Sequence, residues 1–222
     1  EAAREPQAFD PRSPVEAARA LARRPFRAPA GADLPEPFAR LDADAYAGIR
    51  SKPGGVIWLA DNVGYAIEPL HRGFAFTAPM QIEVVEAGQA RRLAYDASQF
   101  DFGAVKPPAE SKDIGFSGFR VLRAREGAPP AEVAIFQGAS FFRAAARGQS
   151  FGVAARGLSI RTADPRGEEF PVFRAVWIEK PVLAENRLVI HALLDSESLT
   201  GAYRFTLRAD DACIIDTEAT IF

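Results

Sequence analysis

Short apolar runs separated by turn residues dominate the chain from about residue 56 onward. Gly, Pro, Asp and Asn interrupt these runs at intervals of about ten residues, a spacing that is typical of an all-β sandwich. The predicted strands are Val56–Leu59, Tyr65–His71, Phe74–Thr77, Gln81–Glu86, Arg91–Tyr95, Phe119–Arg123, Glu132–Gln137, Ser140–Ala145, Phe151–Ala155, Phe173–Glu179, Arg187–Leu194, Ala202–Arg208 and Cys213–Phe222.

Two of these runs predict their own positions in a sheet. Ala202–Arg208 alternates strictly, so that Tyr203, Phe205 and Leu207 share one face and polar residues share the other. Leu188–Leu194 is apolar on both faces, which is typical of a central strand. The fold is therefore predicted to be an antiparallel β-sandwich.

The N-terminal part has a different pattern. Ser13 is followed by Pro14 and Glu16, and this order predicts a helix with Ser13 as its cap. Pro25 is expected to stop that helix, and a second short helix is predicted over Ala43–Ile49.

The change of pattern predicts the domain organisation. Residues 1–50 form an N-terminal lead with short helices and a Pro-rich connector, and residues 51–222 form the first part of a large β-sandwich. The chain starts at Glu1 without Met, so we expect that a signal peptide or another leading segment was removed. A strand-like run continues to Phe222, which predicts that the sandwich is incomplete.

Composition narrows the function classes. The 27 basic and 29 acidic residues leave a net charge of -2. The sequence contains no basic stripe, so nucleic-acid binding is not predicted. Cys213 is the only cysteine and the chain has two histidines, so neither a disulfide framework nor a Cys- or His-rich metal site is predicted. The glycines of the sequence form no phosphate-binding motif, so no cofactor is predicted. No apolar run approaches the ~20 residues of a membrane span.

Candidate chemistry concentrates between Gly138 and Pro181. Phe141 and Arg143 lie two apart, so they share a face of a strand. An aromatic ring beside a guanidinium group can stack on a sugar ring and donate to its hydroxyl groups. The alternative is that Phe141 belongs to the core and Arg143 is an ordinary surface residue.

Three further charged residues lie in the same segment. Arg156 stands among Ala and Gly residues, which indicates close approach of backbone or ligand, although an exposed bend explains it equally well. Glu168 and Glu169 follow a turn, and paired carboxylates invite a glycosidase interpretation. Adjacent residues of an extended chain point to opposite sides, so these two are not expected to form one catalytic pair.

A hydrolase of the serine or cysteine type is not favoured. His191 and Asp195 share a face if their strand is regular, but no GxSxG motif accompanies them, and Cys213 lies in an apolar run.

The longest informative segment is GASFFRAAARGQSFGVAARGLSIRTADPRGEEFPVFRAVWIEKP, which begins at Gly138. Together with the segments at 113–119, 191–196 and 200–203, it resembles the periplasmic glucans biosynthesis proteins of the OpgG/OpgD (MdoG) family. The resemblance extends from about Val15 to Phe222.

The resemblance implies a protein exported to the periplasm that serves the synthesis of osmoregulated periplasmic glucans with a β-1,2-linked backbone. It implies a sandwich similar to galactose mutarotase, and some members are inverting β-1,2-glucanases. The family's catalytic carboxylates are expected beyond residue 222, so the enzyme question stays open and no catalytic residue is predicted. The candidate substrate-binding residues are Phe141, Arg143, Arg156, Glu168, Glu169 and Asp195.

Three functions follow as hypotheses. The first is a protein that binds, and in its complete form processes, β-1,2-glucan. The second is a non-catalytic carbohydrate-binding or scaffold partner of the inner-membrane glucan glucosyltransferase. The third is a soluble β-sandwich binding module of unknown ligand.

Overall fold

The computed structural model describes residues 5–29, 31, 34–108 and 112–222. Two short α-helices precede most of the strands, α1 (Ser13–Leu21) and α2 (Ala43–Ala47). The strands are β1 (Gln7–Ala8), β2 (Arg50–Ser51), β3 (Tyr65–Leu70), β4 (Gln81–Glu86), β5 (Gln89–Arg92), β6 (Phe100–Asp101), β7 (Gly118–Arg125), β8 (Ala128–Gln137), β9 (Phe141–Ala144), β10 (Ala155–Arg156), β11 (Val172–Glu179), β12 (Leu188–Asp195), β13 (Thr200–Ala209) and β14 (Cys213–Ile221).

Two large sheets pack face to face. One has seven strands in the order β1-β5-β4-β11-β12-β13-β14, and the other has five in the order β10-β9-β8-β7-β3. Phe205 of the seven-stranded sheet meets Phe136 and Phe142 of the five-stranded sheet, each with ring centroids 5.3 Å apart. The described chain is therefore mostly β, as the sequence pattern predicts, and its core lies between the two sheets.

The prediction of an antiparallel fold needs one correction. β4 and β11 pair in parallel, with Val176 opposite Ile82. The other strand pairs of the two large sheets are antiparallel in the described residues. Between β4 and β11 the chain passes through β5 and four strands of the five-stranded sheet, so no tight hairpin dictates the direction in which β11 returns.

Most predicted strands occur with ends shifted by a few residues, but three of them are wrong. Val56–Leu59 forms no strand because Trp58 has a φ of 60°, and Phe74–Thr77 is a turn in which Phe74 has a φ of 51°. Phe151–Ala155 is irregular apart from the start of β10. The prediction for Leu188–Leu194 is confirmed, because β12 lies between β11 and β13.

The first helix of the N-terminal lead lies on the outer face of the seven-stranded sheet. α1 packs on β12 and β13, and Thr200 Oγ1 donates to the Ala18 carbonyl at 2.8 Å. Ser13 is the first residue of α1 and not its cap, because Arg12 occupies the cap position without a side-chain hydrogen bond. The cap of α2 is Asp42, which accepts a hydrogen bond from Ala45 N at 2.8 Å.

Candidate functional site

The outer face of the five-stranded sheet carries a pocket of about 340 Å³, here called the aromatic pocket. Aromatic rings, a guanidinium group and an amide surround it. Its lining residues are Ala75, Phe76, Ile135, Gln137, Gly138, Phe141, Phe142, Arg143 and Ala154. Phe141 and Arg143 both line this pocket, in agreement with the prediction that residues two apart share a face of a strand.

The alternation of β9 produces this opening. Phe142 stacks on Phe136 in the core at a centroid distance of 5.3 Å, so the residues on either side of it, Phe141 and Arg143, point outward. Gly138 lets the opposite wall approach, because a Cβ atom there would lie 3.1 Å from Phe76 Cε1. Its φ of 78° is also a conformation that glycine adopts at little cost.

Arg156 and Glu168 form a supporting cluster beside the pocket. The Arg156 guanidinium lies 5.1 Å from the Phe141 ring centroid and 5.3 Å from that of Phe170, and it is ion-paired with Glu168. Glu168 also accepts a hydrogen bond from Thr162 Oγ1 at 3.3 Å. Of the small neighbours of Arg156, Gly157 is closely packed, because a Cβ atom there would lie 2.8 Å from Phe173 Cζ.

Arg143 differs from Arg156 in having no ionic partner in the described part of the chain. Its side chain is exposed, and within the described residues it makes no hydrogen bond or salt bridge. Its donors are therefore available to a ligand in the pocket without breaking a contact of the protein. Gln137, by contrast, already donates to Tyr46 Oη at 2.7 Å and to Ser117 Oγ at 2.8 Å.

Glu169 lies away from the pocket and is buried. Its carboxylate accepts hydrogen bonds from Ser196 Oγ, from Ser198 N at 2.9 Å and from Ser198 Oγ at 2.6 Å, and Arg161 lies 3.2 Å away. Burial by itself would raise the pKa of Glu169, but these hydrogen bonds outweigh burial and the pKa is lowered. Glu169 therefore anchors its loop to the turn between β12 and β13, and it faces away from Glu168, as the sequence predicts.

Asp195 belongs to a third location. Leu194 points into the core, so Asp195 points to the outer face of the seven-stranded sheet, where it is ion-paired with Arg174. Arg174 sits where the register between β11 and β12 shifts, and it also donates to the carbonyl of Arg27. A separate cavity of about 440 Å³ adjoins this pair.

The structure thus brings together four of the six predicted site residues. Phe141 and Arg143 line the aromatic pocket, and Arg156 and Glu168 support it. The carboxylates of Glu169 and Asp195 point elsewhere. Substrate binding by these six residues stays a prediction.

Sequence reasoning missed three residues around the pocket. Phe76 was assigned to a strand but reaches the pocket from a turn, and Gln137 lies at the end of β8. Phe170 is 49% exposed and lies 6.4 Å from Phe141, measured between ring centroids. An exposed aromatic residue directly after Glu168-Glu169 was the available signal for Phe170.

The described residues contain neither a metal-binding cluster nor a membrane-spanning helix. No group of three or more His, Cys, Asp or Glu side chains there is placed to hold a metal ion. No helix in this part of the chain is long and apolar enough to cross a membrane.

The chain is thus a mostly β protein with an aromatic and arginine-lined surface pocket, and its relatives identify its family. The family described as "Periplasmic glucan biosynthesis protein, MdoG" matches residues 9–222. The chain belongs to this family, which confirms the resemblance found in the sequence.

Curated relatives agree with this assignment. Glucans biosynthesis protein G of Vibrio cholerae is 45% identical over 218 residues, covering 96% of this chain and 39% of the relative. The Rhodopseudomonas palustris (strain BisA53) protein of the same name is 42% identical over 224 residues, covering 100% of this chain and 44% of the relative. The chain therefore spans less than half the length of these relatives.

Proposed function

We propose that this chain binds β-1,2-linked glucan in the aromatic pocket and acts in periplasmic glucan biosynthesis. The observation that carries the proposal is the combination in one surface pocket of Phe141, Phe76 and Arg143, which has no hydrogen-bond or ionic partner among the described residues. Membership of the glucan biosynthesis family supplies the polymer class, and the periplasm is the compartment that the family description names.

The pocket offers the two kinds of contact that a hexose needs. An aromatic ring packs against the apolar C–H face of a sugar, and burial of such surface is favourable by ~25 cal/mol per Å². A guanidinium group carries five N–H donors in a fixed fork, which suits neighbouring hydroxyl oxygens. Arg143 would donate to the sugar while Phe141 stacks on it.

The Arg156 and Glu168 cluster would hold the stacking surface in place. Arg156 lies over the rings of both Phe141 and Phe170 and is fixed by its ion pair with Glu168. A ring that is already ordered loses less conformational entropy when a ligand arrives. Phe170 would extend the stacking surface to a neighbouring sugar.

The finer fold proposal is a sandwich of the galactose mutarotase type. Its support is the packing of a seven-stranded against a five-stranded sheet. In such a sandwich the outer face of one sheet can bind a polymer that crosses several strands. The aromatic pocket lies on the outer face of the five-stranded sheet.

For the residues of this chain, binding is favoured over hydrolysis. An inverting glycosidase uses two carboxyl groups ~6.5–9.5 Å apart, one as acid and one as base. Glu168 is engaged by Arg156, and Glu169 by Ser196 and Ser198, so both have structural partners. A non-catalytic role beside the membrane glucosyltransferase is therefore the second candidate, and glucanase activity remains a hypothesis for the longer protein.

The test combines binding with turnover. Linear β-1,2-glucan is titrated into the chain by calorimetry, and new reducing ends are measured in the same samples. We expect binding that Arg143→Ala weakens, with unchanged thermal unfolding of the free protein. Absence of binding by the folded chain would contradict the proposal, while reducing ends formed in proportion to protein would replace the binding role by catalysis.

A further inference from the structure

Gln137 connects the aromatic pocket with the N-terminal lead. It lines the pocket at the end of β8, and its Nε2 donates to Tyr46 Oη of α2 at 2.7 Å and to Ser117 Oγ at 2.8 Å. A side-chain amide has two N–H donors, so both donors of Gln137 are used inside the protein. Its Oε1 has no partner in the described part of the chain and is accessible to solvent.

The carbonyl of His71 fixes the orientation of this amide. Tyr46 Oη donates to the carbonyl at 2.9 Å, and Ser117 Oγ donates to it at 2.7 Å. A carbonyl oxygen only accepts, so each hydroxyl directs its single proton there and can only accept from Gln137. Burial raises the pKa of Tyr46 above its ordinary value of 10.0, so the phenol keeps its proton. Nε2 of Gln137 therefore points inward, and Oε1 is the polar atom left for the pocket.

The donors of Arg143 lie near this acceptor. Ile135 is directly opposite Arg143 in the pairing of β8 with β9, and Gln137 lies two residues further along β8 on the same face. Diagonal neighbours of this kind are about 7–8 Å apart, within reach of long side chains. Phe141 shares the face and lines the same pocket. The pocket thus combines one acceptor, one group of donors and an aromatic ring.

A hydroxyl group is the ligand group that fits this combination. A hydroxyl both donates and accepts, so two hydroxyls of one sugar can satisfy Oε1 of Gln137 and the guanidinium group of Arg143 together. A carboxylate only accepts, so it would pair with Arg143 but place an oxygen against Oε1. An oxygen that carries a substituent in place of its proton has no donor for Oε1 either.

We propose that Gln137 Oε1 is the acceptor with which the aromatic pocket recognises a free sugar hydroxyl, and that Tyr46 and Ser117 are positioning residues that hold it in this orientation. The inference rests on the proposed glucan site and adds to it the group that selects a hydroxyl donor. It also gives α2 a role in the site, through the hydroxyl of Tyr46.

Three single variants and one double variant test the proposal. Gln137→Met removes the acceptor but keeps a side chain of similar length. Tyr46→Phe removes a hydroxyl that orients the amide but keeps the ring, which packs on Phe76 at a centroid distance of 5.7 Å. Tyr95→Phe is the matched control, because Tyr95 Oη also bonds to His71, at Nε2 and 2.9 Å, but does not line the pocket. The double variant combines Tyr46→Phe with Gln137→Met.

Calorimetry with linear β-1,2-glucan measures the affinity of each protein, and thermal unfolding checks that each is folded. We expect Gln137→Met to weaken binding about fivefold and Tyr46→Phe about threefold, with no further loss in the double variant. Tyr95→Phe should leave the affinity unchanged. An equal loss from Tyr46→Phe in both backgrounds would show a merely structural role and overturn the positioning claim.

Two outcomes separate this inference from the proposed function. Unchanged affinity in folded Gln137→Met, with a wild type that binds, would overturn the inference and leave the glucan site standing. A folded wild type that binds no glucan would overturn the proposed function and the inference together.

A measurement without ligand tests the orientation of the amide by itself. Nuclear magnetic resonance gives the exchange of the Gln137 side-chain N–H protons with water, and Gln137→Met assigns their signals. We expect slow exchange in the wild type and several-fold faster exchange in Tyr46→Phe, because one acceptor is lost. Equal exchange in the two proteins would contradict the role of Tyr46, whatever the result with glucan.

Discussion

Glu168 and Glu169 are neighbours in sequence but belong to two different regions of the molecule. Glu168 lies in the half-exposed cluster beside the aromatic pocket, with Arg156 as its charged partner. Glu169 is buried and accepts hydrogen bonds from Ser196 and Ser198. The first region keeps rings and the donors of Arg143 exposed, whereas the second satisfies its carboxylate inside the protein.

The contrast between the two glutamates shows that residue type alone does not determine the role of a side chain. Both regions combine glutamate with arginine, but only the aromatic pocket leaves polar donors and apolar rings exposed together. A buried carboxylate with several donors contributes to stability, since any loss of its partners leaves polar groups unsatisfied. We therefore expect substitutions in one region to affect folding and in the other to affect ligand binding.

The largest expected effect is on Glu169. In Glu169→Ala the buried Ser196 and the exposed Ser198 lose the carboxylate that accepts their hydrogen bonds, and we expect a loss of about 3 kcal/mol in the free energy of unfolding. Urea denaturation measures it. Glu168→Ala is the matched control and should cost less than about 1 kcal/mol, because its ion pair is partly solvated. Equal losses in both variants would remove the distinction between the two regions.

The Asp195 pair gives the next effect. Asp195→Asn removes the anionic partner of Arg174 at a position where the Asp195 side chain is buried. We expect the free energy of unfolding to fall by about 2 kcal/mol. Glucan affinity should not change, because this pair lies on the outer face of the seven-stranded sheet, whereas the aromatic pocket lies on the outer face of the five-stranded sheet. Calorimetry and denaturation on the same preparation check both statements, and weakened glucan binding by a folded variant would place Asp195 in the ligand site after all.

Arg143 should show the reverse behaviour. We expect Arg143→Ala to weaken binding of β-1,2-glucan about tenfold, which corresponds to the loss of one charged hydrogen bond of roughly 1.4 kcal/mol. Its unfolding free energy should be unchanged, because the side chain has no partner within the described residues. Arg208→Ala, an arginine on the outer face of β13, serves as the control for a general change of surface charge. An effect of the same size there would contradict a local role for Arg143.

The smallest effect concerns pH. The pKa of Glu169 is lowered from its ordinary value of 4.5, so its contribution to stability is present above that pH and is lost as the pH falls through the folded-state pKa. We expect the wild type to lose stability below about pH 4.5 more steeply than Glu169→Gln. Thermal unfolding between pH 3 and 7, at roughly constant ionic strength, gives both curves. Parallel curves would show that Glu169 is not the group responsible.

The sequence predicts the parts of this comparison that depend on local geometry. Alternation places Phe141 and Arg143 on one face of β9, and it separates Glu168 from Glu169. The partners of these residues are not predictable in the same way. Ser198 and Phe76 approach from segments that are distant along the chain, and their positions depend on how the two sheets pack.

The same limit explains the errors in the fold prediction. Phe74 and Trp58 belong to apolar runs that resemble strands, but their positive φ values belong to turns. The parallel pairing of β4 with β11 is set by a connection that runs through the other sheet, and short-range periodicity carries no information about it. Hairpins such as β13–β14, joined by a short turn, are predictable for the opposite reason.

The most direct test of the central claim is a residue-resolved titration of the isotope-labelled chain with linear β-1,2-glucan, followed by nuclear magnetic resonance. We expect the largest saturable shifts at Phe76, Gln137, Phe141 and Arg143. Shifts centred instead on Arg174 and Asp195, or no saturable shifts at all, would contradict the claim that the aromatic pocket is the glucan site.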